Sequence, residues 1–289
     1  MSSSKVWLVT GSSAGLGRAV VEHALMQGSK VVATCRNPDD LSALTDKYSS
    51  AQLIVLPLNV TVPEEIISAF ARAVEAFGRV DVVYNNAGSG VMAEVEGTPD
   101  ETARKHFEVN FWGSANVSRE AVRVFREVNS PPGGRLLQAS SLGAIKANPG
   151  LGYYNASKSA LEGLSESLSR EVHPSWNIKI TILQLGLFAT RAFTPAAMTF
   201  MSPHPAYNQP DNAVKLAREW SPPGGAMHAF LADPVKAARE IYKISEDDSV
   251  GLRVVLGQDA IGNWQEKLKD IEEFLKKSEG YSADLKFDA

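Results

Sequence analysis

The sequence has a single cysteine, Cys35, in 289 residues, so no internal disulfide can form and an oxidised, cross-linked scaffold is excluded. It has no surplus of positive charge either. Lysines and arginines number 29 against 33 aspartates and glutamates, a formal net charge of −4. Proteins that bind nucleic acid or anionic membranes carry a basic excess or stripe, so neither partner is expected. No apolar run nears the roughly 18 residues that suggest a membrane span. Met1 to Ser4 lead straight into an apolar strand pattern, without the basic and hydrophobic regions of a signal peptide. The five histidines lack metal-ligand spacing, no carboxylate cluster suggests a catalytic metal, and there is no tandem repeat or low-complexity tract. A soluble cytoplasmic globular protein is the expectation. Its 44% hydrophobic and 21% charged residues are ordinary for that class, and its length allows one large domain or two.

What is present is an alternation of strand and helix. Lys5–Thr10 is a short apolar run stopped by Gly11, and Arg18–Gln27 then places Val20, Val21, Ala24 and Leu25 on one helical face before Gly28. Strands are predicted at Lys30–Thr34, Leu53–Leu58 and Val80–Tyr84, with helices from Pro38 and over Pro63–Phe77 between them. The pattern continues with helix over Thr98–Val128, strand at Arg135–Ala139, helix at Tyr154–Val172 and strand at Ile178–Leu185. It closes with helix at Asp233–Ser245, strand at Arg253–Leu256 and a charged, solvated helix over Trp264–Lys277. Such a rhythm predicts a Rossmann-type α/β fold, a doubly wound parallel sheet of about seven strands flanked by helices. One stretch departs from it: residues 191–232 hold six prolines and little pattern, which suggests a functional lid or loop.

The chemistry-bearing residues cluster at strand ends. Thr10-Gly11-Ser12-Ser13-Ala14-Gly15-Leu16-Gly17 lies between the first strand and first helix, where glycines allow a tight turn and backbone N–H groups approach a pyrophosphate. Its GxxxGxG spacing is not the usual GxGxxG, and an ordinary glycine-rich turn would also fit. The same residues satisfy GxSxG, the nucleophile elbow of serine hydrolases, with Ser13 as nucleophile. That reading is disfavoured because the elbow falls on the first strand and the histidines (His23, His106, His173, His204, His228) read as helix surface or loop. After the second strand stands Arg36, suited to the 2′-phosphate of NADP, where a free ribose would call for a carboxylate. Tyr154 and Lys158 are at i and i+4 of a helix, so phenol and ammonium share a face, and a neighbouring cation favours the phenolate.

These motifs, with Asn85-Asn86-Ala87-Gly88 after the fourth strand, Asn110, Ser141 and the run YNASK from Tyr154 to Lys158, resemble those of the short-chain dehydrogenase/reductase family, in the family's order. The resemblance covers residues 5 to about 190 and again about 233 to 260, and is highly specific. It implies one domain over 1–289, with a substrate-loop insert at about 191–232 and a helical tail at about 262–289. It implies an NADP(H)-dependent oxidoreductase interconverting a carbonyl and an alcohol by hydride transfer. In that family Tyr154 would exchange the proton, Ser141 would hydrogen-bond the carbonyl oxygen, Lys158 would lower the tyrosine's pKa and bind the nicotinamide ribose, and Asn110 would hold a relay water. Gly11, Ser12, Ser13, Gly15, Leu16, Gly17, Arg36, Asn59, Val60, Asn86, Ala87, Gly88, Gly186 and Thr190 would bind the cofactor, with Tyr154 and Lys158 contributing. The family often pairs through the two long helices, so a homodimer or homotetramer is implied.

Two departures stand out against the family pattern. Asn59-Val60 replaces an Asp-Val near the adenine, keeping a hydrogen-bonding side chain without its charge. Leu185 replaces a proline before Gly186, which is expected to loosen the following loop and the placement of Thr190. Phe193, Met198, Phe200, Met201, Trp220 and Met227 are available to build a substrate wall, favouring a hydrophobic carbonyl compound. Phe111 and Trp112 read as core or subunit contact, and Cys35 as a small packed residue. A cofactor-binding sensor with the same fold and little turnover is the alternative from another class, disfavoured by the complete catalytic set.

Overall fold

The computed structural model describes residues 4–191, 194, 197–221, 227 and 230–285. Its first half alternates as expected: β1 (Val6–Thr10), α1 (Gly15–Met26), β2 (Lys30–Cys35), α2 (Ser42–Thr45), β3 (Leu53–Pro57), α3 (Pro63–Phe77) and β4 (Val82–Asn85). The helix expected from Pro38 begins as a tighter 3₁₀ turn, Pro38–Leu41, in which Asn37 Oδ1 accepts from Asp39 N. A three-residue strand follows, β5 (Gly90–Met92), and then α4 (Asp100–Phe107) and α5 (Ser114–Arg123), joined by a widened π-helical segment at Glu108–Gly113. The remainder is β6 (Gly134–Ala139), α6 (Gly152–Glu171), β7 (Ile178–Leu185), β8 (Met198–Phe200), α7 (Ala213–Trp220), α8 (Pro234–Glu246), β9 (Arg253–Leu256) and α9 (Gln258–Ser282). No helix among the described residues is long and apolar enough to cross a membrane.

Seven strands form one parallel sheet in the order β3-β2-β1-β4-β6-β7-β9. β1 is buried along its whole length, as a central strand covered on both faces must be. Its period-2 alternation sends Trp7 and Val9 into one core with Val21, Leu25 and Ile241, and Leu8 into the other with Phe70, Val117 and Leu136. The strand order reverses between β1 and β4, so the connections leaving their carboxyl ends diverge. Ligand crevices of doubly wound sheets open at that point.

The described residues of the proline-rich stretch carry more regular structure than the sequence pattern suggests. β8 pairs with β5 in a parallel two-stranded ribbon, Gly90 opposite Met198 and Met92 opposite Phe200. Asn212 caps α7 by accepting from the Val214 and Lys215 amides. A buried ion pair holds this layer down. Arg218 Nε and Nη2 lie 3.1 and 2.9 Å from the two oxygens of Glu94, and Arg218 Nη1 donates to Met201 O at 2.8 Å. Burial works to raise the Glu94 pKa, but the hydrogen bonds from Arg218 and His204 N and the Arg218 charge hold the carboxyl below its ordinary value. Removing one member of a buried pair costs about 3–5 kcal/mol, because the other charge is left uncompensated. Arg218→Ala is therefore expected to accelerate limited proteolysis within 197–221 at neutral pH while α3 stays protected; equal cleavage rates in variant and wild type would refute the anchor.

Candidate active site

The turn after β1 depends on glycine at two points. Gly11 and Gly15 have φ of +68° and +58°, in the left-handed region. A Cβ on Gly17 would lie 2.3 Å from Gly11 O and 2.6 Å from Asn86 Nδ2, so the turn, the start of α1 and the loop after β4 are in closest approach there. Ala14, the residue before α1, offers no side-chain cap, and the first turn holds no acid. The leading N–H groups of α1 are thus available to an anion, and the turn fits a dinucleotide pyrophosphate. Gly11, Ser13, Gly15 and Leu16 line the resulting cleft. Ser12 and Gly17 do not line it. Ser12 is buried as a staple, its Oγ donating to Val9 O at 2.8 Å and accepting from Thr34 N at 3.2 Å, while Gly17 acts through packing. Among the described residues no histidine hydrogen-bonds Ser13, which removes the geometric basis for a hydrolase elbow.

At the far end of the cleft lie Cys35, Arg36, Asn59 and Val60. Arg36 is exposed, and among the described residues no carboxylate pairs with it. Asn59 lines the cleft with its hydrogen-bonding side chain, whose Oδ1 also accepts from Thr61 N and Oγ1 at 3.2 and 2.9 Å. The floor is made by Asn86, Ala87 and Gly88. Thr10 Oγ1 accepts from the Asn86 and Ala87 amides at 2.9 Å, and Asn86 Nδ2 donates to Thr10 O at 2.9 Å, which locks the β4 loop to the glycine turn.

Opposite stand Ser141, Tyr154 and Lys158, brought together by the end of β6 and the first turns of α6. Lys158 is buried; its Nζ donates to Ala139 O at 2.8 Å and lies 6.0 Å from the Tyr154 ring centre. Ser141 Oγ accepts from Gly143 N at 3.1 Å, and Ser141 and Tyr154 both stand against Gly143. Burial lowers the Lys158 pKa to about 8, opposed by the charge of Glu162. The tyrosine differs from expectation. Burial raises its pKa above the ordinary value, and it is the Ser141 hydroxyl that opposes this, since Lys158 is directed at Ala139 O.

Asn110 is fully buried behind this wall, inside the π-helical segment, whose wider turn is a common device at functional sites. Its Oδ1 accepts from Ser89 N at 2.9 Å, so its amide faces Ser89 O at 2.9 Å, His106 Nε2 at 3.1 Å and Ser157 Oγ at 3.2 Å. The contacts make His106 Nε2 an acceptor and place the ring proton on Nδ1, facing Ser89 Oγ at 3.4 Å. His106 is therefore a core histidine rather than a surface one. Burial, with Lys158 nearby, lowers its pKa to about 4 from an ordinary 6.5. An unfolded chain binds this proton below pH 6.5 and the folded chain only near pH 4, so stability is lost as pH falls across that window. Between pH 7 and 5 His106 should account for about 2 kcal/mol of the loss. Urea unfolding of wild type and His106→Gln at both pH values checks this; identical pH dependence would contradict a buried neutral imidazole.

The loop after β7 completes the cleft. Around Leu185, which stands where the family has proline, Asp259 of α9 accepts from Leu187 N at 2.7 Å, Gly186 N donates to Leu256 O, and Ala189 and Ala232 bond across the base of the insert. A side chain at Gly15 would meet Thr190 Cβ at 3.2 Å, so Thr190 sits against the glycine turn, and Arg191 Nη2 reaches Ser13 O at 3.4 Å. The cavity measures about 450 Å³. Of the residues expected in its substrate wall, Met198 lines it, joined by Leu142, Leu151 and Phe188. Phe200 and Trp220 are exposed, Met227 is buried elsewhere, Met201 bonds to Met92, and Phe193 lies outside the described residues. Trp112 is likewise exposed rather than core, against the edge of Phe111. No group of metal-ligating side chains occurs among the described residues.

Residues 5–199 match the family described as short chain dehydrogenase. The chain belongs to that family. A short-chain dehydrogenase from Streptomyces avermitilis superposes with a TM-score of 0.88 at 33% identity, over 99% of this chain and 100% of that one. An uncharacterized oxidoreductase, C162.03, of Schizosaccharomyces pombe is 39% identical over 96% of this chain and 90% of its own length. Oxidoreductase calM of Penicillium decumbens is 34% identical over 94% and 91%. As a short-chain dehydrogenase, the protein is an oxidoreductase acting on CH–OH and C=O groups with a nicotinamide cofactor.

Proposed function

We propose that this short-chain dehydrogenase uses NADP(H) to interconvert a hydrophobic ketone or aldehyde and its alcohol, with Tyr154 as general acid and base. The observation that carries the reading is the convergence of Ser141, Tyr154 and Lys158 on one wall of a cleft whose other end holds the glycine turn and Arg36. A bound nicotinamide supplies or accepts the hydride. Tyr154 passes its phenolic proton to the carbonyl oxygen, and Ser141 Oγ hydrogen-bonds the same atom, stabilising the charge that develops there with donors already in place. Lys158 offsets the burial that holds the phenol's pKa up once its ammonium is turned to the cofactor ribose and the tyrosine. Asn110 fixes the loop beneath and holds the water that relays protons to Lys158. Arg36 would hold the 2′-phosphate through its guanidinium charge and N–H donors, which would favour NADP(H) over NAD(H).

Leu142, Leu151, Phe188 and Met198 present apolar surface beside the reacting groups, supporting a hydrophobic carbonyl compound over a sugar or a highly charged acid. The helices over 100–128 and 152–171 would form the contacts of a homodimer or homotetramer, with exposed Trp112 on the first. Purified protein mixed with NADPH and a panel of hydrophobic ketones and aldehydes should consume the cofactor, and do so more slowly with NADH. Binding of NADPH with no turnover across the panel would replace this reading with a cofactor sensor.

A further inference from the structure

One helical turn beyond Lys158, on the same face of α6, lies a buried carboxylate that the chemistry above does not use. Glu162 is 9% exposed, four residues after the lysine. Ser140 Oγ donates to its Oε1 at 2.5 Å, and Gln184 Nε2 lies 3.1 and 2.9 Å from its two oxygens, with Arg253 Nε at 3.6 Å. A set made of donors fits an ionised carboxylate, because a neutral acid would turn a proton toward the Gln184 amide. Arg253 does not neutralise Glu162 alone. Its Nη2 is 2.6 Å from Glu166, which also pairs with Arg170. Lys158 is the other cation on that face, and Glu162 opposes the effect of its burial. Among the described residues, the other titratable groups facing Lys158 are Tyr154 on the same helix and His106 on α4, both neutral at pH 7.

The two side chains also grip consecutive residues at the end of β6. Lys158 Nζ holds Ala139 O, and Glu162 holds Ser140 Oγ, immediately before Ser141. Behind them Gln184 Oε1 accepts from Trp264 Nε1 at 2.8 Å, so the cluster reaches α9. We propose that Glu162 is a positioning residue of this active site, the buried counter-charge that keeps Lys158 an ammonium and the clamp that holds the turn carrying Ser141. The inference rests on the roles given to Lys158 and Ser141 above.

Glu162→Gln removes the charge and sets an amide donor against that of Gln184. The exchange Glu162→Gln/Gln184→Glu can keep acceptors for Ser140 Oγ and Trp264 Nε1 and one amide-to-carboxylate bond between the two positions, and it returns a carboxylate to the cluster. The Lys158 titration, read by NMR of ¹³C-labelled lysine in the free protein, should have its midpoint near 8 in wild type. It should fall by about one pH unit in Glu162→Gln, and return toward the wild-type value in the exchange. With carbonyl substrate, kcat of Glu162→Gln on the alkaline side should be about tenfold lower than wild type, with KM unchanged. An unmoved midpoint in Glu162→Gln, or an exchange variant no nearer to wild type, overturns the counter-charge. If Glu162→Gln does not fold, Glu162→Leu/Gln184→Leu, which removes the charge together with the amide facing it, is read in the same way. Absence of turnover on any carbonyl would overturn the functional reading instead, leaving the lysine titration to decide this one.

Discussion

Tyr154→Phe should lower carbonyl turnover by roughly 10²–10⁴-fold while NADPH still binds, since the change removes one proton donor and leaves the ring in place. The phenol is half-buried in the cleft that Ser141 also lines, with the Lys158 ammonium 6.0 Å from the ring centre. No other described side chain combines a transferable proton with that position: His106 is held behind Asn110 with a pKa of about 4, and Lys158 is committed to Ala139 O. Stopped-flow or steady-state NADPH oxidation, alongside fluorescence titration of the cofactor, separates the two effects. Turnover equal to wild type on every active substrate would show that the proton comes from elsewhere.

Cofactor preference should also move when the end of β2 is changed. A hydrogen bond to a charged group is worth about 1.5–3 kcal/mol, so losing the guanidinium of Arg36 should reduce kcat/KM for NADPH by roughly 10- to 150-fold. Cys35→Asp combined with Arg36→Ile adds an acceptor for ribose hydroxyls and repels the 2′-phosphate, so NADH should become the better substrate. Cys35 is buried and its thiol donates to Asn37 O, so a carboxylate there carries a desolvation cost. Arg36→Ile alone separates that cost from the charge effect. Unchanged preference for NADPH in both variants would remove Arg36 from the cofactor site.

The parts of this fold that were legible in the sequence are those whose determinants are local. β1, β2, β3 and β7 are short apolar runs between turn residues, and Tyr154 and Lys158 meet because a helix brings i and i+4 together. The ends of β1, β2, β3, β4, β6 and β7 each deliver a segment to the same crevice, so family motifs and geometry coincide there. What was hidden depends on distant pairs. β5 and β8 are three residues each, too short for a period, and exist by pairing with one another. Glu94 and Arg218 are 124 positions apart, and the Leu187 amide finds Asp259 across 72. His106 reads as surface because α4, DETARKHF, is mostly charged; its burial follows from the way the π segment turns Asn110 inward. Ser12 and Gly17 belong to the cofactor motif by sequence, yet one staples the turn and the other only leaves room for it.

The most direct test of the central claim follows an atom. NADPH carrying deuterium at C4 should be incubated with the protein and hydrophobic ketones and aldehydes, and the alcohols examined by mass spectrometry. Hydride transfer in this cleft predicts one deuterium on the carbinol carbon of the product with wild type, and a strongly reduced yield with Tyr154→Phe. Protein that binds NADPH yet transfers no deuterium to any member of the panel, or transfers it equally well without the Tyr154 hydroxyl, would contradict the account.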